Sequence, residues 1–147
     1  MSDYRYDYFV AGPWRNQRAI KKAVDELRVA GKTAYCFIEN EYDSDGIKQS
    51  KNPTHAELVK SNTEDIPDWQ HNMTLRKMFE NDMDGLDNAE AFVLVFPAGL
   101  SAHMELGVAY GKGKKCYAIG EPEKAESLYF MIDKFFPDAK ALSEHAV

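Results

Sequence analysis

The chain has 147 residues, of which 44% are hydrophobic and 29% are charged. This length is sufficient for one domain with a substantial core, and the sequence has no run of about 18 apolar residues that could cross a bilayer. The net charge of −6 argues against binding to a nucleic-acid backbone, because that requires a clustered basic surface. We therefore expect a single domain over residues 1–147, with neither a membrane nor a nucleic acid as partner.

The N-terminal residues MSDYRYDY are polar and lack the apolar core of a signal peptide, so we expect a cytoplasmic protein. Cys36 and Cys116 fall in segments that resemble strands and have no CxxC spacing. The four histidines are scattered along the chain. These patterns predict reduced, buried cysteines and no metal site.

The first part of the chain predicts a strand, a helix and a second strand. Tyr6–Ala11 is rich in β-forming residues and ends at Gly12 and Pro13, which favour a tight turn. Over residues 15–32 the apolar side chains recur at helical spacing, and Gly31 can end the helix. Residues 33–38 form the second predicted strand. A strand, helix and strand of this length predict a parallel sheet with a right-handed crossover.

The middle of the chain predicts a loop and two helices. Residues 39–53 are polar and turn-rich, which indicates a long loop at the carboxyl end of a strand. Residues 55–62 predict a short helix, and a longer helix runs from after Pro67 to about Met83. Its methionine and aromatic side chains predict a core stripe. An acidic segment, NDMDG, stands at the end of this helix.

The last part of the chain predicts two more strands and two helices. Residues 89–96 form a buried strand, followed by a turn at residues 97–99 and a helix from near Ser101 to Gly111. Residues 114–120 form the fourth strand, and residues 127–136 an amphipathic helix. The C-terminal residues form either a short helix or a strand edge. The whole pattern predicts a three-layer α/β/α domain with four or five parallel strands.

Glu105 is a carboxylate in the helix that follows the third strand, among small and apolar residues. We expect it in the first turn of that helix, where the unpaired N–H groups and partial positive charge would keep it ionised. Ligands bind beyond the carboxyl ends of strands in open α/β sheets, so Glu105 is a candidate nucleophile. On residue type alone, a structural role in complementing the helix dipole stays open.

Three segments at the carboxyl ends of the predicted strands carry a resemblance to a known family: AGPWRNQR, NDMDG and GLSAHMELGVAYGKGK. Together they resemble the nucleoside 2-deoxyribosyltransferases, which share a flavodoxin-like fold with the 2′-deoxynucleoside 5′-phosphate N-hydrolases. The most specific part is MELGVAYGKGK, and the YFVAGP opening is weaker. The resemblance extends from Tyr8 to about Met131.

The resemblance implies roles for three residues. Glu105 matches the glutamate of the Glu-Leu-Gly motif, which is the nucleophile. Asp82 matches an acidic residue of the base pocket that assists proton transfer to the leaving base, and Tyr8 matches an aromatic residue beside the nucleophile and sugar. A carboxylate that attacks C1′ while a second acid serves the leaving base resembles a retaining glycosidase, and it needs no cofactor.

The resemblance also implies a set of substrate-binding residues and shows two departures. The expected set is Gly12, Trp14, Arg15, Arg18, Gly99, Ser101, His103, Met104, Ser127 and Tyr129. Transferases place an acidic residue about six positions before the nucleophile, whereas this chain has Gly99. Arg15 and Arg18 match an R-x-x-R spacing of the phosphate-recognising hydrolases, with exposed surface arginines as the alternative.

The first functional hypothesis is therefore transfer of a deoxyribosyl group between nucleobases. One alternative is hydrolysis of a 2′-deoxynucleoside 5′-monophosphate, and a second is a nucleotide-binding or signalling module without turnover. The expected partners are nucleosides and nucleobases, with nucleotides in the alternatives. The resemblance further implies a homo-oligomer in which Ser127 and Tyr129 of the segment SLYFMID complete a neighbouring site.

Overall fold

The computed structural model describes residues 3–40 and 63–145. Within these residues, five strands form one sheet in the order β2-β1-β3-β4-β5, and every pairing is parallel. The strands are β1 (Tyr6–Ala11), β2 (Ala34–Cys36), β3 (Ala89–Val95), β4 (Lys115–Ile119) and β5 (Lys134–Phe136). The order 2-1-3-4-5 is that of the flavodoxin-like folds, so the expected fold class is confirmed.

The sheet is buried along its centre because β1 and β3 are nearly continuous apolar runs. Tyr8 pairs with Ala91 of β3 on one side and with Ala34 of β2 on the other. A parallel strand with helices on both sides of the sheet is buried on both faces, and this explains the continuous apolar run. The boundaries predicted for β1 are confirmed, and β3 ends one residue earlier than expected.

Two helices cover one face of the sheet: α1 (Gln17–Val29) and α4 (Ala139–Ser143). Ile20 and Leu27 of α1 and Leu142 of α4 are fully buried in the core on this face. Helix α1 ends where Gly31 adopts a φ of 85°, a conformation that favours glycine. Asp138 caps α4 by accepting a hydrogen bond from the backbone N–H of Ala141 at 2.8 Å.

Helix α3 (Leu100–Gly111) covers the opposite face, where it packs on β3 and β4. Its buried side chains are Ala102, Leu106 and Ala109, which recur at helical spacing. Small residues on this stripe let the helix lie close to the sheet. The predicted strand, turn, helix and strand from residue 89 to 120 are therefore confirmed.

The second strand is shorter than predicted, because residues 37–39 form a 3-10 helix. β1 ends at Ala11, and the next residues are Gly12 and Pro13. Among the described residues, the ladder between β1 and β2 ends at the pair Val10–Cys36. Phe37 instead turns toward Trp14, with ring centroids 6.3 Å apart.

The helix predicted over residues 127–136 is wrong. Ser127–Met131 is a 3-10 helix, and Lys134–Phe136 is the fifth strand. Asp133 joins this segment to the sheet, since its N–H donates to the Cys116 carbonyl at 2.7 Å and its carboxylate accepts from the Cys116 N–H at 2.8 Å. Backbone pairing along the free edge of β4 therefore outweighs the local amphipathic pattern, and Phe130 is left 93% exposed.

The described residues fall into two compact units, one formed by residues 3–38 and 85–145 and the other by residues 39–40 and 63–84. Helix α2 (Met73–Asp87) continues past its expected end at Met83, so NDMDG is helical. The expected core stripe is wrong at Trp69, Met73 and Phe79, which are exposed. The helix predicted at residues 55–62 and most of the predicted loop lie outside the described residues, and the single domain stays a prediction.

Among residues 3–40 and 63–145, no helix combines the length and apolar character needed to span a membrane.

Candidate functional site

The candidate site lies at the carboxyl ends of β1 and β3, where the direction of the strand order reverses. From β1 the chain crosses to β2 on one side, whereas β3 and β4 lie on the other. Ligands of open α/β sheets bind in the crevice at such a switch point. The loops that follow the two strands are tied together, because Asn16 Nδ2 donates to the Pro97 carbonyl at 3.2 Å.

The loop after β3 delivers the start of helix α3 to this crevice. It contains a cis peptide bond between Phe96 and Pro97, and Gly99 is the N-cap residue of α3. The side chain of Arg15 lies here too, since a Cβ built on Gly99 would stand 3.7 Å from Arg15 Nη2. A guanidinium beside the positive end of a helix makes a corner that favours an anion.

His103 and Tyr129 form a hydrogen-bonded pair beside this corner. His103 Nδ1 lies 2.7 Å from the carbonyl oxygen of Gly99, and Nε2 lies 2.8 Å from the Tyr129 hydroxyl. The ring of Phe96 packs edge-on against Tyr129, with centroids 5.7 Å apart, and stacks on Phe135 at 6.3 Å. Both His103 and Tyr129 were expected to bind substrate, and the structure brings them together.

A cavity of about 570 Å³ opens at this point, which is within the size range of small-molecule sites. It combines two cations, two carboxylates and an aromatic wall. Its described lining residues are Arg15, Phe96, Pro97, Ala98, His103, Glu121, Pro122, Glu123, Lys124 and Tyr129. A larger groove of about 1060 Å³ lies between α1 and α4, on the other face of the sheet. That groove has no aromatic residue among its described lining.

Glu105 lies in the second turn of α3, as the sixth residue of the helix. The expectation that it lies in the first turn is wrong, because α3 begins at Leu100. The dipole effect falls off within the first turn, so the helix alone does not keep this carboxylate ionised. Its side chain is half-buried. At about 100° per residue, Glu105 and His103 flank the buried stripe of α3 on opposite sides.

Asp82 belongs to the other compact unit, where it is half-buried in the part of α2 before Gly85. The described residues around the cavity include neither Asp82 nor Glu105. His103, which lines the cavity, and Glu105 belong to the same helix, α3.

Tyr8 lies in the core on the α1 side of the sheet and has 0% exposure. Its hydroxyl has no hydrogen-bond partner among the described residues. The pKa of Tyr8 is raised to about 12, mainly by burial, with smaller contributions from the nearby Tyr117, Asp7 and Glu90. A side chain without exposure reaches a substrate only if the core opens.

The remaining expected residues lie in several places. A Cβ on Gly12 would approach Ile20 Cδ1 to 2.6 Å, so this glycine serves the packing of α1. Trp14 is half-buried against Phe37, and Arg18 lines the groove between α1 and α4. Two residues of α3, Ser101 and Met104, are exposed. Ser127 donates from its hydroxyl to Glu126 Oε1 at 3.0 Å.

Sequence analysis missed the wall that Phe96 and the loop after β4 contribute to the cavity. Phe96 was expected to end the strand, and none of the residues between the fourth strand and Ser127 was among the expected site residues. The position of this loop could have indicated its role, because it follows the carboxyl end of β4, where functional loops of parallel sheets lie. Lys124 is the residue of this loop that adds a second cation to the cavity.

In the described part of the chain, no group of three His, Cys, Asp or Glu side chains is placed to hold a metal ion. Burial raises the pKa of the Cys116 thiol to about 11, with Asp133 as a smaller cause, which keeps this cysteine protonated and unreactive at neutral pH.

The same fold is found in a solved structure of a 2-deoxyribosyltransferase from the psychrotolerant bacterium Bacillus psychrosaccharolyticus. The two chains are 16% identical, the TM-score is 0.66, and the match covers 95% of this chain and 91% of the other. No protein-family model matches the chain, and no curated protein matches it. The structural match shows the fold that the sequence motifs implied.

Proposed function

We propose that the protein cleaves the N-glycosidic bond of 2′-deoxynucleosides and transfers the deoxyribosyl group to another nucleobase. The observation that carries this proposal is the place of Glu105. It lies on the helix that follows β3, at the switch point of a sheet that has the fold of a 2-deoxyribosyltransferase. In the proposal, this half-buried carboxylate meets the sugar in the crevice beyond the strand ends.

In the proposed reaction, a carboxylate oxygen of Glu105 attacks C1′ and the bond from C1′ to the base nitrogen breaks. The electron pair of that bond leaves with the base, and Asp82 supplies a proton to the leaving base. The product is an ester of deoxyribose on Glu105. A nitrogen of a second base then attacks C1′, releases the carboxylate and returns a proton to Asp82, so the configuration at C1′ is retained.

Hydrolysis of a 2′-deoxynucleoside 5′-monophosphate is the second candidate, and the position of Arg15 favours it. The transferases have an acidic residue where this chain has Gly99, and the guanidinium of Arg15 lies beside that space. Lys124 adds positive charge in the same cavity. A phosphate group would gain charge-assisted hydrogen bonds from Arg15 and from the N–H groups at the start of α3. Water would then take the place of the second base.

The proposed homo-oligomer rests on the segment around Tyr129. The side chains of Leu128 and Phe130 are 63% and 93% exposed, which gives this segment an apolar surface. Tyr129 itself contacts His103 of the same chain. If a neighbouring subunit completes the site, Leu128 and Phe130 are therefore better candidates for the contact than Tyr129.

The test incubates the protein with a 2′-deoxynucleoside alone, with a 2′-deoxynucleoside and a second free base, and with a 2′-deoxynucleoside 5′-monophosphate. Chromatography then separates the products. Exchange of the base supports the transferase, whereas release of the base from the monophosphate alone supports the hydrolase. Binding without any release of base supports the non-catalytic module and contradicts both enzyme proposals.

A further inference from the structure

The pair of His103 and Tyr129 has a defined direction of hydrogen bonding. A carbonyl oxygen can only accept, so the Gly99 carbonyl requires the proton of the neutral His103 ring to be on Nδ1. Nε2 then has no proton and accepts a hydrogen bond from the Tyr129 hydroxyl, 2.8 Å away. Tyr129 has only one hydroxyl proton, so its oxygen can offer only lone pairs to any other group.

The position of the Tyr129 ring is fixed from several directions. The 3-10 helix that carries it is capped by Glu126, whose side chain accepts from the Leu128 N–H at 3.2 Å. Phe96 packs edge-on against the Tyr129 ring at 5.7 Å, and the hydroxyl is held by His103. A side chain fixed in this way presents its lone pairs to a ligand without a further loss of rotamer entropy.

Tyr129 and His103 both line the cavity of about 570 Å³. The other polar groups there are the cations of Arg15 and Lys124 and the carboxylates of Glu121 and Glu123. The oxygen of Tyr129 is thus an uncharged acceptor among the charged side chains of Arg15, Lys124, Glu121 and Glu123. An uncharged acceptor suits a neutral donor such as a hydroxyl group better than it suits an anion.

We propose that Tyr129 determines specificity by accepting a hydrogen bond from a hydroxyl group of the substrate sugar, and that His103 is the positioning residue that keeps it an acceptor. The identity of the ligand as a sugar rests on the proposed function. The direction of the hydrogen bond rests only on the contacts of the pair. A deoxyribosyl group carries a 3′ and a 5′ hydroxyl, and one of them is the expected donor.

The test pairs enzyme variants with substrate analogues. Tyr129→Phe removes the acceptor but keeps the ring, and it should lower kcat/KM for a 2′-deoxynucleoside by about two- to tenfold through KM. On the 3′-deoxy or the 5′-deoxy analogue that lacks the contacted hydroxyl, Tyr129→Phe should cause no further loss. Equal losses on the parent nucleoside and on both analogues, or no loss on any of them, would overturn the proposal.

Substitutions of His103 test the positioning role. His103→Leu frees the Tyr129 hydroxyl to turn its proton toward the substrate, so it should lower kcat/KM by up to as much as Tyr129→Phe, with no additional loss in the double variant. His103→Gln should retain most of the activity, because the glutamine side-chain oxygen can accept from Tyr129 in place of Nε2. A His103→Gln variant as impaired as His103→Leu would contradict this role. Nitrogen-15 NMR of the imidazole should show the proton on Nδ1, and a proton on Nε2 would overturn the assigned direction.

The experiments distinguish failure of the proposed function from failure of the role assigned to Tyr129. A parent protein that neither cleaves nor binds the 2′-deoxynucleoside would overturn the proposed function and, with it, the sugar contact. A parent protein that is active, but whose variants show no dependence on the substrate hydroxyls, would overturn only the role of Tyr129.

Discussion

The guanidinium of Arg15 lies beside Gly99, so that a Cβ at position 99 would stand 3.7 Å from Arg15 Nη2. Arg15 follows β1, and Gly99 follows β3, so this contact joins the two loops at the switch point of the sheet. The absence of a side chain at Gly99 leaves room for the arginine at the start of α3. Whether an anion occupies this corner decides between the two enzyme proposals.

Arg15→Ala and Arg18→Ala form a matched pair, because only Arg15 lines the cavity at the switch point. If the substrate is a 5′-monophosphate, Arg15→Ala should lower kcat/KM by about one to two decades, as expected for the loss of a charge-assisted hydrogen bond. Arg18→Ala should change it little. Steady-state kinetics on the monophosphate and the nucleoside provide the measurement. Equal losses of kcat/KM on the monophosphate in the two variants would contradict the assignment of phosphate binding to Arg15 and not to Arg18.

Gly99→Asp restores the acidic residue that the transferases have at this position. The new carboxylate would pair with Arg15 and repel a phosphate, so activity on monophosphates should fall while activity on nucleosides is kept or rises. Gly99 has a φ of −99° and is the N-cap of α3, and aspartate is favoured there. Gly99→Ala is the control, since a methyl group at 3.7 Å makes an ordinary contact. A parallel loss for both substrates in Gly99→Asp would indicate a local structural change instead.

Glu105→Gln should abolish turnover, to below about a few per cent of the parent activity, because an amide cannot act as the nucleophile. The side chain keeps its size, so the thermal midpoint should remain within a few degrees of the parent. Glu26→Gln on helix α1 is a matched control, as it removes a half-buried carboxylate on the other face of the sheet. Substantial activity in Glu105→Gln would remove Glu105 from the mechanism.

Tyr8→Phe separates a core role from a catalytic role. The hydroxyl is buried without a described partner, so its removal should leave the free energy of unfolding unchanged or raise it. The pKa of Tyr8 rises from 10.0 to about 12 in the folded protein. The stability linked to keeping this hydroxyl protonated is therefore fully present below pH 10, and the free energy of unfolding falls as the pH rises toward 12. Denaturation curves over this range should show a smaller alkaline loss in Tyr8→Phe. A large loss of catalysis at neutral pH would instead support the role that the family resemblance implies.

Two helical glycines should respond to alanine in opposite directions. A Cβ on Gly85 would stand 2.7 Å from the ring of Tyr35, which itself stacks on Phe9 at 5.0 Å. Gly85→Ala should therefore reduce the free energy of unfolding by about 1–3 kcal/mol. Gly107 has no atom within 4 Å of such a position, so Gly107→Ala should add about 0.5–1 kcal/mol through helix propensity. Urea denaturation measures both, and a stable Gly85→Ala would show that the Tyr35 ring can shift.

Local sequence determined the elements whose patterns agree with their packing. Tyr6–Ala11 and Ala89–Val95 are apolar runs long enough to be buried strands, and Ile20, Val24 and Leu27 form a stripe that only a helix presents to one face. The loops after these strands carry Arg15 and Gly99, so the position of the candidate site followed from the order of the strands. Residue type and spacing are sufficient to predict these strands and this helix, because the structure that each segment favours locally is also the one in which its apolar side chains are buried.

Only the tertiary structure decided the elements and roles that depend on a distant partner. Residues 134–136 became a strand because β4 has a free edge, and this same turn of the chain brings Tyr129 to His103. Tyr8 is buried because α1 and α4 cover the face of β1 on which it lies. Arg15 and Arg18 line different pockets because Arg15 precedes α1 and Arg18 is on that helix. Each of these outcomes is set by backbone pairing and packing between residues far apart in the chain, which local patterns do not contain.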